Sequence, residues 1–308
     1  MDSLRHILSP DFLLRNSLYV SNLVGLACPL VGEFLVLRRL VFMGVALPQL
    51  SSTGVAFALS LPMWLNAAQP QHTGQREHLL AFIGSTVFSL GAILILAFLE
   101  RRQRGLSEGR LGTSYVISAS LSILILSKNR YGEVGWLDLM KGEVITVSNF
   151  DFALTGIALA VVLVVLGLFY KELLLVSFDR AMAITLRKNA VFWDVVLYIL
   201  IGMTVSMAVL SVGPLISFGF LLIPALASHL FARTIRQFML FASIVGGIAA
   251  FLGFWVAYSW DLPVGPTDLV VLGLLYAVAW IAERLFRWIR PRDTALSAAG
   301  APGAVSSS

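Results

Sequence analysis

The chain is short of charge. Only 13% of its 308 residues are Asp, Glu, Lys or Arg, against roughly 25% in a soluble domain. With 58% hydrophobic residues and a mean hydropathy of +0.87, that scarcity excludes a soluble enzyme and a disordered chain. One cysteine, Cys28, excludes an internal disulfide and a multi-cysteine metal cage. Cys28 sits in an apolar run and reads as a small buried hydrophobe. No G-x-x-x-x-G-K-[ST] loop occurs, so nothing here cradles ATP phosphates. H-E-x-x-H and G-x-S-x-G are absent too, and no hydrolase catalytic set is visible. The expectation is a chain without enzymatic activity, binding no cofactor of its own.

What is present are apolar runs of about twenty residues, the length a helix needs to cross roughly 30 Å of hydrocarbon. Backbone polar groups must be satisfied inside the bilayer, so such runs predict an all-α, polytopic helical membrane bundle. Seven spans read directly, at about 17–37, 43–65, 79–99, 111–127, 152–170, 238–259 and 267–284. The stretch 195–232 has no Asp, Glu, Lys or Arg over 38 residues. That is about 57 Å of helix, nearly two bilayer cores. Gly213-Pro214 at its middle predicts a break and two short spans, about 193–211 and 214–232.

Charge decides the count. With nine spans, 16 of the 22 basic residues fall on one side, among them Arg38, Arg39, Arg101, Arg180, Arg187, Arg233 and Arg284. That side faces the cytoplasm by the positive-inside rule. With 195–232 as one span, Arg233, Arg236 and the four C-terminal arginines change sides, and the bias falls to 10 against 12. Nine spans follow, with the N-terminus outside and the C-terminus inside; a re-entrant element at 195–232 would make eight. The basic pI of about 9.6 therefore reports topology and a lipid partner rather than nucleic acid.

Residues 1–16 read as an outer interfacial segment with Leu4, Ile7, Leu8, Phe12 and Leu13 on one face. Charged residues interrupt it, so it is not a cleavable signal. Residues 17–292 are the transmembrane domain. Residues 293–308, rich in Ala, Gly and Ser, read as a disordered cytoplasmic tail.

One cytoplasmic loop is longer than the rest: 171–190, within KELLLVSFDRAMAITLRKNAVFWD. Ser177 or Asp179 can cap a short helix there. Phe178, Met182 and Leu186 recur four apart. The loop reads equally as a partner-docking element or an interfacial helix.

Four ordered segments carry a family resemblance. They are GLACPLVGEFLVLRRLVFMGVALPQLSSTGVAFAL at 25–59, LFYKELLLVSFDRAMA at 168–183, SVGPLISFGFLLIPALASHLFARTIR at 211–236 and GFWVAYSWDLPVGP at 253–266. Together they resemble the membrane-spanning permease subunit of bacterial metal-ion ABC importers, the family associated with zinc, manganese and iron. The resemblance implies a type II ABC importer-like bundle in the bacterial inner membrane. It implies a homodimer with a second permease copy, a separate cytoplasmic ABC ATPase that uses the ATP, and an extracytoplasmic metal-binding protein. Phe178, Asp179, Met182 and Ala183 would then couple to the ATPase.

The chain departs from that family at two places. Many members carry Gly-Asp-x-x-x-His at the start of the second span, where Asp and His look like metal ligands. Here the stretch is Gly44-Val45-Ala46-Leu47-Pro48-Gln49. Valine cannot ligate a cation, and Gln offers one neutral oxygen, a weak ligand for zinc. A chelated or non-metal cargo, or an ATPase-independent carrier, therefore stays open as an alternative. In the coupling segment, Arg187 stands where the family often has Gly.

The remaining candidates have two readings each. Glu33, an acid inside a span, is a path gate or an ion pair with Arg38 or Arg39, about 7.5 Å along the helix. Gln49 and Thr53, four apart with Ser52 beside them, line a polar path or bond between helices. Gly213, Pro214 and Pro224 break a buried span for transport or for packing. His229 is a metal ligand or an interfacial histidine. Met203 and Met207 read as packing. His72 and His78, with Glu77, form a weak candidate for metal capture outside.

Overall fold

A computed structural model describes residues 14–64, 74–102, 107–127 and 147–289. Residues 1–13 of the expected interfacial segment 1–16, His72 and the C-terminal tail lie outside the described residues. Eleven helices occur among those described: α1 (Arg15–Leu37), α2 (Val41–Trp64), α3 (Gly74–Arg102), α4 (Ser107–Ser127), α5 (Asn149–Leu168), α6 (Tyr170–Phe178), α7 (Arg180–Thr185), α8 (Ala190–Val212), α9 (Pro214–His229), α10 (Ile235–Trp260) and α11 (Val264–Ile289). No strand is present among the described residues.

Eight helices are long and apolar enough to cross a membrane: α1 to α5, α8, α10 and α11. α9 has 16 residues, about 24 Å, too short to count by that measure. Its direction still follows from its neighbours. Ser211 at the end of α8 lies 3.3 Å from Thr155 in the first half of α5, and Asn149 at the start of α5 bonds Asn16 at the start of α1. At the other end of α9, the His229 ring stands edge-on to Phe238 in the first turn of α10. α10 is antiparallel to α1, since Leu18 packs with Phe254 while Leu26 meets Gly247. α9 thus returns from one face to the other and is a ninth crossing among the described residues.

The break between α8 and α9 is where the sequence puts it. Gly213 takes φ 85°, a region open to glycine, and Pro214 begins α9 at the position where its missing N–H costs nothing. Pro224 sits inside α9 and leaves the Phe220 carbonyl without its helical donor.

Burial sorts the helices into a centre and a ring. In α1, α2 and α8 about two thirds or more of the span is buried (67, 72 and 67%), against 33% or less in the other five. α9 joins the centre, with Ile216, Ser217, Phe220, Leu221 and Leu222 buried. The ring presents apolar stripes outward, such as Val270, Leu274, Val278 and Ile281 on α11 and Ile157, Val161 and Val164 on α5. In a bilayer such faces meet lipid tails. With no hydrophobic drive between helices in lipid, close backbone approach does the work, and small residues permit it. Gly25 of α1 abuts Gly246 of α10, and Gly54 of α2 abuts Gly84 of α3.

Two helix ends close with a left-handed arginine. After α1, Leu40 N–H bonds the Leu35 carbonyl at 2.8 Å and Arg39 N–H bonds Val36 at 3.0 Å, with Arg39 at φ 58°. After α7, Lys188 N–H bonds Ala183 at 3.0 Å and Arg187 N–H bonds Ile184 at 2.9 Å, with Arg187 at φ 56°. Both are Schellman closures, whose central position favours glycine. Glycine would take this backbone freely, and Arg187 adopts it at a cost. Arg187→Gly is expected to stabilise the loop by about 1 kcal/mol, seen as a raised thermal midpoint of the purified chain in detergent.

Candidate functional site

The long loop after α5 folds into two short helices, α6 and α7. Asp179 is extended (φ −140°), which ends α6 and starts α7. Its Oδ1 accepts Met182 N–H at 2.8 Å, so Asp179, not Ser177, is the cap. Ser177 instead donates to the Leu173 carbonyl at 2.6 Å. Phe178 and Met182 therefore belong to two helices, and the four-residue spacing does not run along one. They nevertheless emerge together: Phe178, Met182, Ile184 and Leu186 are all more than half exposed. Ala183, expected from the resemblance to couple to the ATPase, is fully buried against Val176, Ala190 and Trp193 and packs α7 onto α6 and α8. Lys188 and Glu172, 3.6 Å apart, close the loop's base.

Beneath the loop lies a buried ion cluster. Asp194, in the first turns of α8, is buried. Its Oδ1 accepts Arg38 Nη1 at 2.8 Å, and its Oδ2 lies 3.4 Å from Arg180 Nη1. Arg38 Nε donates to Ser177 Oγ at 3.0 Å, and its guanidinium sits over the Tyr198 ring. Asp194 was not among the residues singled out from sequence, because it stands at a span boundary where charge is ordinary. Only the reach of two arginines from other helices makes it special.

That cluster overturns the ion-pair reading of Glu33. Arg38 is engaged by Asp194, and both Glu33 carboxylate oxygens are buried without a hydrogen-bond partner among the described residues. Glu33 is felt instead at Tyr170, at the start of α6. Burial pushes the Tyr170 hydroxyl above its ordinary value; the Arg236 charge pulls it down and the Glu33 charge pushes it further up.

Gln49 and Thr53 face elsewhere. Gln49 Nε2 reaches Ser122 Oγ of α4 at 3.5 Å. Thr53 Oγ1 donates to the Gln49 carbonyl at 3.0 Å and meets the Ser118 hydroxyl. Both are buried; the contacts with Ser122 and Ser118 join α2 to α4, while the Thr53–Gln49 bond lies within α2. No hydrogen bond joins them to Glu33. Ser52 Oγ is buried without a partner among the described residues. Val45 is half-buried on α2.

His229 is exposed, its ring edge-on to Phe238. His78 pairs with Asp151 at the start of α5, Nδ1 to Oδ1 3.2 Å. The side chains of His72 and Glu77 lie outside the description. No group of three metal-ligating side chains occurs among the described residues. A second buried acid, Asp268 of α11, accepts Ser21 Oγ at 3.3 Å, and its Oδ1 rests against Gly253 of α10. From sequence it read as the edge of a span; a glycine on the next helix makes room for it inside.

Residues 11–283 match the ABC 3 transport family. The chain belongs to that family. It is a multi-pass membrane permease. The manganese import system permease protein ScaB of Streptococcus gordonii is 26% identical over 278 residues, covering 90% of this chain and 94% of the relative. A probable iron transport system membrane protein of Haemophilus influenzae is 25% identical over 283 residues, 91% of this chain and 93% of the relative. Among solved structures, PsaBC from Streptococcus pneumoniae in complex with Fab has a TM-score of 0.76 at 22% identity, covering 97% of this chain and 99% of that one. That likeness is one of fold. The helical importer-type bundle expected from the sequence is the one observed.

Proposed function

We propose that this permease imports a divalent metal, with manganese the first choice and iron or zinc next, driven by a separate ABC ATPase. The observation that carries this reading is the family match over 11–283 together with the exposed apolar face of the α6–α7 loop. Phe178, Met182, Ile184 and Leu186 would enter a cleft of the ATPase. The ATP is used there, since this chain has no P-loop. A second copy of the chain completes the path, and an extracytoplasmic binding protein delivers the metal. The loop face is cytoplasmic, in keeping with 16 of the 22 basic residues on that side, which leaves the N-terminus outside and the C-terminus inside.

Within the bundle, Glu33 is the acid of the path, near its cytoplasmic end. Gln49 and Thr53 supply neutral oxygens on α2, and Gly213, Pro214 and Pro224 let α9 bend. His229 is the weakest metal candidate, being exposed beside an aromatic ring. The 1–16, 17–292 and 293–308 divisions are kept as interfacial segment, permease and tail.

The test is manganese uptake by proteoliposomes holding permease, ATPase and binding protein. ATP-dependent accumulation is expected, and Glu33→Gln lowers it by roughly tenfold, the equivalent of about 1.4 kcal/mol. Uptake that survives ATP depletion and collapses with an uncoupler would sink the reading in favour of a secondary carrier. Val45 and Gln49 favour one second reading. With no acid or imidazole there, a chelated metal keeps its own ligands in transit. Accumulation of a manganese chelate but not of the free ion would establish it.

A further inference from the structure

We infer that Asp194 is the positioning residue through which the α6–α7 loop moves α1. The inference rests on the docking role proposed for that loop. Three elements meet at this one carboxylate, and a fourth reaches it through Arg38. Asp194 belongs to α8, Arg38 closes α1, Arg180 opens α7, and Ser177 at the end of α6 accepts from Arg38 Nε. Asp194 is 4% exposed and the Arg38 side chain 11%, while Arg180 is 48% exposed on the loop side.

Burial gives the cluster its stiffness. An exposed ion pair holds two side chains weakly and yields when pushed. A buried carboxylate that loses one of its arginines loses part of the compensation for its charge, so the groups travel together rather than part. The other hold of α7 on the bundle is apolar. Ala183 rests among Val176, Ala190 and Trp193, all within or beside the same loop. Arg180 is therefore the polar link from α7 to the central helices.

α1 then carries the displacement inward. Glu33 lies one to two turns before Arg38. One residue earlier, Gly32 touches the backbone of α9 at Leu221 with no room between them. A shift of α1 must take α9 with it. The order is α7, Asp194, Arg38, α1, α9, a contiguous mechanical route from loop to bundle centre.

The test uses the assembled permease–ATPase complex in nanodiscs. Cys28→Ala removes the native thiol, and spin labels are placed on Arg39→Cys after α1 and on Thr185→Cys, an exposed position of α7 outside the proposed docking set. In this parent the interlabel distance keeps one population with or without vanadate-trapped nucleotide. In Asp194→Asn, and equally in the half-exposed Arg180→Ala, trapping at least doubles the width of the distribution. The double variant is no worse than either single, because both cut the same link. Asp194→Glu, which keeps both arginine partners, behaves as the parent. Unchanged distributions in the two single variants overturn the inference, and so does an additive double. If the parent permease fails to retain the ATPase at all, the docking reading itself fails.

Discussion

Gly32→Ala is expected to prevent the bundle from assembling. A Cβ at position 32 would stand 1.7 Å from the Leu221 carbonyl oxygen and 2.7 Å from its carbon. Both neighbours are helix backbone, so no rotamer change relieves the clash. α1 and α9 would have to separate at the centre of the bundle, where both are most buried. Overpacking usually costs 1–3 kcal/mol, and a backbone overlap lies at or beyond the top of that range. The measurement is monodisperse yield and thermal midpoint in detergent, with loss of roughly 3 kcal/mol or more. Gly273→Ala is the control. Nothing lies within 4 Å of a Cβ there, so only helix propensity changes, and stability rises by about 0.5–1 kcal/mol. Equal behaviour of the two variants would remove the close α1–α9 approach from the explanation of this fold.

Phe178→Ala combined with Met182→Ala is expected to release the ATPase. Both side chains are over half exposed, 57% and 53%, on a loop whose own packing is carried by Ala183 and Trp193. Truncating them leaves the permease fold intact. Aromatic and large apolar side chains in a partner's cleft cost about 2 kcal/mol each when removed. Affinity for the ATPase should fall on the order of 10²- to 10³-fold, read as Kd in nanodiscs. Unaltered affinity would place the docking surface elsewhere.

The helices were legible because apolar runs of about twenty residues have one physical answer in a bilayer. Even the break at Gly213-Pro214 was legible, since a glycine that tolerates positive φ precedes a proline suited to a first turn. The short loop helix was legible in outline, and its cap resolved to Asp179. The polar residues were not. Glu33 and the Arg38–Arg39 pair lie close along the chain, which suggested they met, yet Arg38 turns to Asp194, 156 positions away. Asp268 and Asp194 both stand at span ends, where charge draws no notice.

The sequence by itself determined a helical membrane permease, its spans, the bias of its basic residues and the place of its long loop. Those follow from local properties: hydropathy, length, and the backbone limits of glycine and proline. Only the tertiary structure decided which acids are paired and which are left alone. It placed Ala183 inward, gave Asp194 two arginines, left the Glu33 oxygens unpartnered among the described residues, and pressed Gly32 against Leu221. The reason is physical. In an apolar interior, a polar group's role is set by what other helices bring within about 3 Å, and that distance is not written in any local stretch of chain.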